Sequence, residues 1–177
     1  MATVDIQAAL QRVESVLTRR PDKGLHTDTP ARARWEHDLV VRSHHPGGSS
    51  VLTDMPPELG GGGREVTPGW LMRAGLAACT VTCVVFAAAA EGIELQSVEA
   101  SAESESDARG ILGMREADAT PVPSAPRALD LKVRVAARGV SPARLERLVE
   151  TARLRSAVLC ALADGVQVRL SVQAEAS

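Results

Sequence analysis

The sequence has almost no aromatic side chains. Its 177 residues include two tryptophans and one phenylalanine, and no tyrosine. The core must therefore be built from Val, Leu, Ala and Ile, and stacking platforms for single-stranded nucleic acid are excluded. The formal net charge is −2, from 20 basic and 22 acidic residues, so the positive charge of a nucleic-acid-binding protein is missing as well. We expect no nucleic-acid partner.

The sequence also lacks a recognisable signal peptide and a full-length membrane span. The first residues, MATVDIQAALQRVESVLTRR, show no basic segment followed by an apolar one. The longest uncharged stretch, residues 74–90, has 17 residues, whereas a membrane span needs ~20 predominantly apolar ones. We predict a buried core helix here, no membrane partner, and a cytoplasmic location in which the three cysteines are free thiols.

No motif for a metal or a cofactor is present. The glycine run at residues 60–63 lacks the Lys-Ser/Thr pair that completes a phosphate-binding loop. A structural zinc site needs four ligands, and Cys79 and Cys83 have no histidine near them in the sequence. The pair His44 and His45 precedes Pro-Gly, which is typical of an exposed turn. We predict neither a metal nor a cofactor.

Hydrophobic periodicity predicts an α+β protein. The expected helices cover residues 4–19, 68–90 and 142–163, the last either continuous or broken near residue 155. The expected strands are a hairpin at 31–42 with its turn at 36–38, a short strand within 49–54, and strands at 98–102, 129–135 and 166–172. Each of the last three has one polar face, which favours antiparallel sheets. The order shows no regular βαβ alternation.

The helix expected at residues 68–90 is apolar on nearly every side. A single small protomer has too little surrounding structure to cover such a helix completely. The sequence therefore favours an obligate homodimer with this helix at its centre.

Two cysteines, Cys79 and Cys83, lie four residues apart in this helix. The default interpretation is that each is an inert core residue, because buried cysteine behaves as a small hydrophobe. A disulfide between them fails on geometry, since Cβ atoms at this helical spacing are about 5–6 Å apart and a bridge needs about 3.8 Å. A reactive thiol is the other interpretation, and it requires a cation or a hydrogen-bond donor nearby. The arginines available for this are Arg34, Arg42, Arg73 and Arg155.

The stretch VTPGWLMRAGLAACTVTCVVFAAAAEGI resembles the central helix of the OsmC-like/organic hydroperoxide resistance family, in which an Ala-Ala-Cys run ends in the peroxidatic cysteine. The likeness extends to LTDMPPELGG before it, to GIELQSVEA after it, and to RLRSAVLCALADGVQVRL near the end. It covers most of the chain from about residue 31. We therefore divide the chain into an N-terminal helical extension, 1–24, and an OsmC-like domain, 25–177.

The resemblance implies antiparallel sheets wrapped around two long central helices in an intertwined homodimer. It also implies thiol-dependent reduction of organic or inorganic hydroperoxides in oxidative-stress defence, with Cys79 as the attacking thiol and a small apolar hydroperoxide as substrate. In such a cycle the cysteine becomes a sulfenic acid, a second thiol condenses with it, and an external dithiol reduces the disulfide.

Two positions depart from the family pattern. Gly69 stands where the family has a glutamate thought to hold the activating arginine, and Ser156 stands where it has the second cysteine. Cys160, one helical turn later, is either a replacement resolving thiol or a core residue. We carry Arg42 as the activating cation. These departures leave two alternatives to a peroxidase, a catalytically degenerate OsmC-like small-molecule binding protein and a one-cysteine redox sensor.

Overall fold

The computed structural model describes residues 3–174, and its elements form an α+β fold, as predicted. The helices are α1 (Thr3–Arg19), α2 (Pro68–Ala90), α3 (Ala108–Ile111), α4 (Pro142–Arg153) and α5 (Ala157–Asp164). The strands are β1 (Arg32–His37), β2 (Val40–His44), β3 (Ser50–Thr53), β4 (Leu95–Glu105) and β5 (Ala128–Ala137). Short 3₁₀ turns lie at Pro21–Lys23 and Pro57–Leu59.

The strands form two antiparallel sheets. The first has the order β1-β2-β3, and the second is a long β4-β5 ladder that runs from the Leu95–Ala137 pair to the Glu105–Ala128 pair. The predicted hairpin is present, but β1 continues to His37 and the turn falls at residues 38–39 instead of 36–38. Asp38 adopts a φ of +46° there, a conformation that Asp tolerates better than most residues.

Helix α2 begins and ends as the sequence indicates. The Thr67 hydroxyl oxygen accepts a hydrogen bond from the Trp70 amide at 3.1 Å, and Pro68 occupies the first turn. Gly92, with a φ of +67°, allows the chain to leave the helix. By length and composition α2 could cross a membrane, but it packs against α1, α4, α5 and β4 as the core helix of this fold.

The core lies between α2, α4 and the β4-β5 sheet. Small residues on α2 let α4 approach closely, and apolar side chains of both strands cover the pair from the sheet side. The buried cluster includes Val84, Ala87, Ala88, Leu145, Leu148 and Ala152. Each fully buried Leu or Val side chain contributes about 1.5–3 kcal/mol relative to an exposed one.

The glycine run follows a buried carboxylate. Asp54 accepts hydrogen bonds from the Met55 amide at 2.7 Å and the Gly62 amide at 2.9 Å. Burial raises the pKa of Asp54, but these backbone hydrogen bonds outweigh burial and the net pKa is lowered. A Cβ at Gly61 would lie 1.8 Å from the Met55 carbonyl oxygen, so only glycine fits. The glycine run therefore lets the loop pack closely around Asp54 and Met55.

The strand predicted at residues 166–172 is wrong for the single chain. This segment pairs with no strand among residues 3–174. Its four alternating apolar side chains are 67–88% exposed. The alternation of apolar and polar residues correctly predicts an apolar face here. A β-strand also needs the edge of another strand to pair with, and within residues 3–174 no strand pairs with this segment.

Candidate functional site

The candidate site is centred on Cys79, in the middle of α2. Its side chain is partly exposed, and its sulfur accepts a hydrogen bond from the Ser156 hydroxyl at 3.2 Å. Ser156 itself is fully buried. A buried hydroxyl aimed at a thiol sulfur stabilises the ionised form more than the neutral one.

Ser156 reaches this position because the last helical region is broken. Of the two alternatives that the sequence left open, the structure has the break: α4 ends at Arg153, and α5 begins after Ser156. Ser156 is the N-cap of α5, and its oxygen accepts from the Leu159 amide at 3.3 Å. The amides of Ala157 and Val158 in the first turn of α5, where the positive end of the helix dipole lies, therefore face Cys79.

These donors lower the pKa of the Cys79 thiol. Burial acts in the opposite direction and raises it, but hydrogen bonds from Ser156, from the amides of Val158 and Ala157, and from Cys83 outweigh burial. The net pKa lies below the ordinary value for cysteine. A larger share of Cys79 is then the nucleophilic thiolate at neutral pH.

Cys83, one turn further along α2, behaves differently. It is buried, and its thiol donates to the Arg155 carbonyl oxygen at 3.3 Å. Burial first, and then the negative charge of Cys79, raise the pKa of Cys83, while the Arg155 guanidinium lowers it by a smaller amount. Cys83 is therefore harder to ionise than Cys79.

Cys160 lies on α5 and is partly exposed. Its thiol donates to the Leu154 carbonyl oxygen at 3.6 Å, so its sulfur turns back toward the α4–α5 connection. It is close enough to Cys83 to influence the pKa of that thiol. Among the largest influences on the pKa of Cys79, the side chains are those of Ser156 and Cys83, and the role of Cys160 as a resolving thiol stays a prediction.

Arg42 lies on β2, where its Nε atom donates to Glu36 at 2.8 Å. Arg73 donates to the Ser104 hydroxyl at 3.0 Å. Within residues 3–174, the groups that most strongly shift the pKa of Cys79 are hydrogen-bond donors and include no guanidinium. The assignment of Arg42 as the activating cation stays a prediction.

The positions that depart from the family pattern differ in what they do. Gly69 lies in the first turn of α2, and a Cβ there would come 3.7 Å from the Arg73 Nη1 atom, an ordinary contact. The sequence motif identifies Ser156 only as the replacement for a family cysteine and does not predict its role as a donor to Cys79. The signal for that role was the N-cap preference of serine at a break between two helices.

The histidines do not join this site. His45 Nδ1 accepts from the Gly47 amide at 2.9 Å, which fits the turn expected from Pro-Gly. Over the described part of the chain, no three His, Cys, Asp or Glu side chains come together in a way that would hold a metal ion.

An apolar cavity of about 250 Å³ opens between α2, α5 and β5. Leu76 lines it from α2, three residues before Cys79, and Leu159 lines it from α5, three residues after Ser156. Residues at this spacing share a helix face. The other lining residues are Leu129, Leu131, Leu162 and Ala163.

Solved structures with the same fold cover most of this chain. An OsmC-like protein from Mycoplasma pneumoniae is 14% identical, with a TM-score of 0.64 over 78% of this chain and 89% of its own. An organic hydroperoxide resistance protein OsmC from Legionella pneumophila is 24% identical, with a TM-score of 0.56 over 78% and 90%. An organic hydroperoxide resistance protein from Elizabethkingia anophelis is 16% identical, with a TM-score of 0.53 over 75% and 85%.

The family comparison agrees with the structural one. No curated protein matches this chain. The model of the family described as OsmC-like protein matches residues 60–171, which include α2 with Cys79, both strands of the second sheet, and the α4–α5 region with Ser156. The chain therefore belongs to the OsmC-like protein family.

Proposed function

We propose that this protein is a homodimeric, thiol-dependent hydroperoxide reductase that protects the cytoplasm against oxidative stress. The observation that supports this most strongly is the hydrogen-bonded Cys79 sulfur, whose lowered pKa favours the thiolate. Two of the structural neighbours described above are named organic hydroperoxide resistance proteins. Because they are only 24% and 16% identical to this chain, the likeness supports the same fold and does not extend to the same substrate.

The proposed reaction begins with attack of the Cys79 thiolate on the distal oxygen of the hydroperoxide. The O–O bond breaks, and the alkoxide leaves with a proton as an alcohol. Cys79 is then a sulfenic acid, two electrons more oxidised. A second thiol, either Cys160 or one from solution, condenses with it and releases water, and an external dithiol returns the enzyme to its reduced form.

The apolar cavity supports a small apolar hydroperoxide as the substrate. Its lining is entirely Leu and Ala, and three of those leucines, Leu76, Leu159 and Leu162, lie on α2, which carries Cys79, and α5, which Ser156 caps. A hydrocarbon group in this cavity would gain about 25 cal/mol for each Å² of apolar surface removed from water.

The homodimer is supported by apolar surface that the single chain leaves uncovered. Only seven of the 23 residues of α2 are buried among the described residues. Trp35 on β1 is 67% exposed, and Val168 in the C-terminal segment is 88% exposed. Exposed apolar area of this extent typically marks a protein–protein interface, and a second copy would cover α2 and offer a strand edge to residues 166–172.

The direct test is steady-state consumption of cumene hydroperoxide with dihydrolipoamide as the dithiol. Cys79→Ser should abolish turnover, whereas the matched variant Cys83→Ser, on the same helix, should retain it because Cys83 is not the attacking thiol and serine keeps a hydrogen-bond donor at that position. Arg42→Met should lower turnover if Arg42 is the activating cation. Wild-type consumption no faster than that of Cys79→Ser would rule the proposal out.

A second candidate is a binding protein that kept the fold and lost the chemistry. Gly69 and Ser156, which replace the glutamate and the second cysteine of the family pattern, favour it. This candidate requires Cys79 to have ordinary thiol reactivity, with a pKa of about 8.5. Rapid alkylation of Cys79 at pH 6 would exclude it.

A further inference from the structure

The three thiols of the chain are gathered around the junction of α2 and α5. Cys79 and Cys83 lie on α2, and Cys160 lies on α5. The side chain that reaches the Cys79 sulfur from α5, however, is the hydroxyl of Ser156. A hydroxyl cannot form a disulfide. The fate of an oxidised Cys79 therefore depends on whether another thiol can reach its sulfur in place of the Ser156 hydroxyl.

Cys83 is poorly placed for this. It occupies the next turn of the same helix, where Cβ atoms are about 5–6 Å apart, and a disulfide needs about 3.8 Å. Closing that gap would require α2 to unwind through its core-packed middle. The raised pKa of Cys83 also keeps it as a thiol, the less nucleophilic form.

Cys160 is poorly placed for a different reason. It lies four residues beyond Ser156, which is about 6 Å further along α5. Its sulfur is turned toward the Leu154 carbonyl oxygen. To reach Cys79 it would have to leave this hydrogen bond, and the fully buried Ser156 hydroxyl already contacts the Cys79 sulfur.

We propose that Cys79 has no resolving partner within the chain: Ser156 holds the oxidised sulfur by a hydrogen bond, and a small thiol from solution resolves it. This inference rests on the proposed function. It assigns Ser156 as a positioning residue and makes the catalytic cycle a one-cysteine cycle that passes through a mixed disulfide with the reductant.

The cycle balances with two external thiols for each hydroperoxide. The thiolate of the first attacks the Cys79 sulfur, the S–S bond forms, and the S–O bond breaks with loss of hydroxide, which takes a proton to become water. The second thiolate attacks the external sulfur of this mixed disulfide. The Cys79 thiolate leaves, and the two electrons given to the peroxide have come from the pair of external thiols.

The test compares wild-type protein with Ser156→Cys. Each reduced full-length protein receives one equivalent of cumene hydroperoxide without reductant, then dimedone, and is examined by intact mass and non-reducing peptide mapping. The wild type should carry a dimedone adduct on Cys79, and a small monothiol added in place of dimedone should give a mixed disulfide there. In Ser156→Cys the new sulfur starts close to the 3.2 Å oxygen position, so a disulfide with Cys79 should replace the adduct.

The alternatives are distinguishable. A wild-type disulfide from Cys79 to Cys160 or Cys83 would overturn this inference while leaving the proposed function intact, and Cys160→Ser identifies which partner was used. Ser156→Cys that still yields only the adduct would contradict the geometry on which the inference rests. No oxidation of Cys79 in either protein would overturn the proposed function and this inference together.

Discussion

Replacing Ser156 with alanine should raise the pKa of Cys79. The substitution removes the hydroxyl that donates to the sulfur at 3.2 Å and leaves the amides of Val158 and Ala157 in place. A hydrogen bond to a charged group contributes about 1.5–3 kcal/mol. Sulfur is a weak acceptor, so we take the lower end, about 1.5 kcal/mol, which corresponds to roughly a tenfold smaller thiolate population.

The pH dependence of alkylation measures this shift. A variant with Cys83 and Cys160 changed to serine leaves Cys79 as the sole thiol, and its iodoacetamide rate follows the thiolate fraction. Below both pKa values, Ser156→Ala should react about tenfold more slowly, because losing about 1.5 kcal/mol of thiolate stabilisation lowers the thiolate population about tenfold. Above both values the two rates should agree.

A control variant separates two effects of losing the Ser156 hydroxyl: loss of its hydrogen bond to Cys79 and loss of the N-cap of α5. Ser156→Ala loses the bond from the Leu159 amide, a loss that typically costs about 1 kcal/mol of stability. Thr67 is the N-cap of α2 and accepts a comparable bond from the Trp70 amide, so Thr67→Ala should lose a similar amount of stability but leave the alkylation profile unchanged. Superimposable profiles for Ser156→Ala and its parent would refute the reasoning.

Two further predictions concern stability. Hydrogen bonds and charge from Arg109 hold the pKa of Asp107 at about 2 in the folded protein, below its ordinary 3.8. A carboxylate whose pKa is lowered by folding stabilises the folded state above its ordinary pKa, and this stabilisation is lost as the pH falls through the folded-state pKa. Asp107→Asn should therefore lower the melting temperature at pH 5 and match wild type near pH 2, and an equal decrease in melting temperature at the two pH values would contradict this. Gly61→Ala would place a Cβ 1.8 Å from the Met55 carbonyl oxygen, so urea unfolding should show that the free energy of unfolding falls by about 1–3 kcal/mol. An equal fall in the control Gly69→Ala, where a Cβ has room, would argue against a steric cause.

The sequence predicted the main helices because their signals are local. Thr67, Pro68 and Gly92 mark the ends of α2 through N-cap, first-turn and positive-φ preferences that depend on neighbouring residues alone. The β4 and β5 strands followed from alternation in the same way. Their pairing register depends on the whole fold and was not predictable from either segment.

The C-terminal segment shows the limit of that reasoning. Val168 and Leu170 alternate with polar residues as in a strand, but alternation describes a face and not the edge that it meets. Within the described residues no strand pairs with this segment, and the Val168 and Leu170 side chains are more than 85% exposed. A prediction from one sequence could not include a neighbour that the single chain does not provide.

The candidate site was predicted only in part. Cys79 could be singled out from its helix and its family motif, but its activation depends on where α5 begins in space. The bond from Ser156 joins residues 77 positions apart in the sequence, and no local pattern reports such a contact. The sequence offers several arginines as candidate cations but does not show which hydrogen-bond donor reaches the sulfur. In the structure, a buried hydroxyl and free helix amides lower the pKa of Cys79.

Single-turnover consumption of cumene hydroperoxide at pH 7, without any reductant, tests the central claim most directly. Reduced wild-type protein should consume one hydroperoxide and release one cumyl alcohol for each Cys79, and Cys79→Ser should consume none. Hydroperoxide that survives an excess of wild-type protein, or that disappears equally fast with Cys79→Ser, would contradict the assignment of Cys79 as the reacting thiolate.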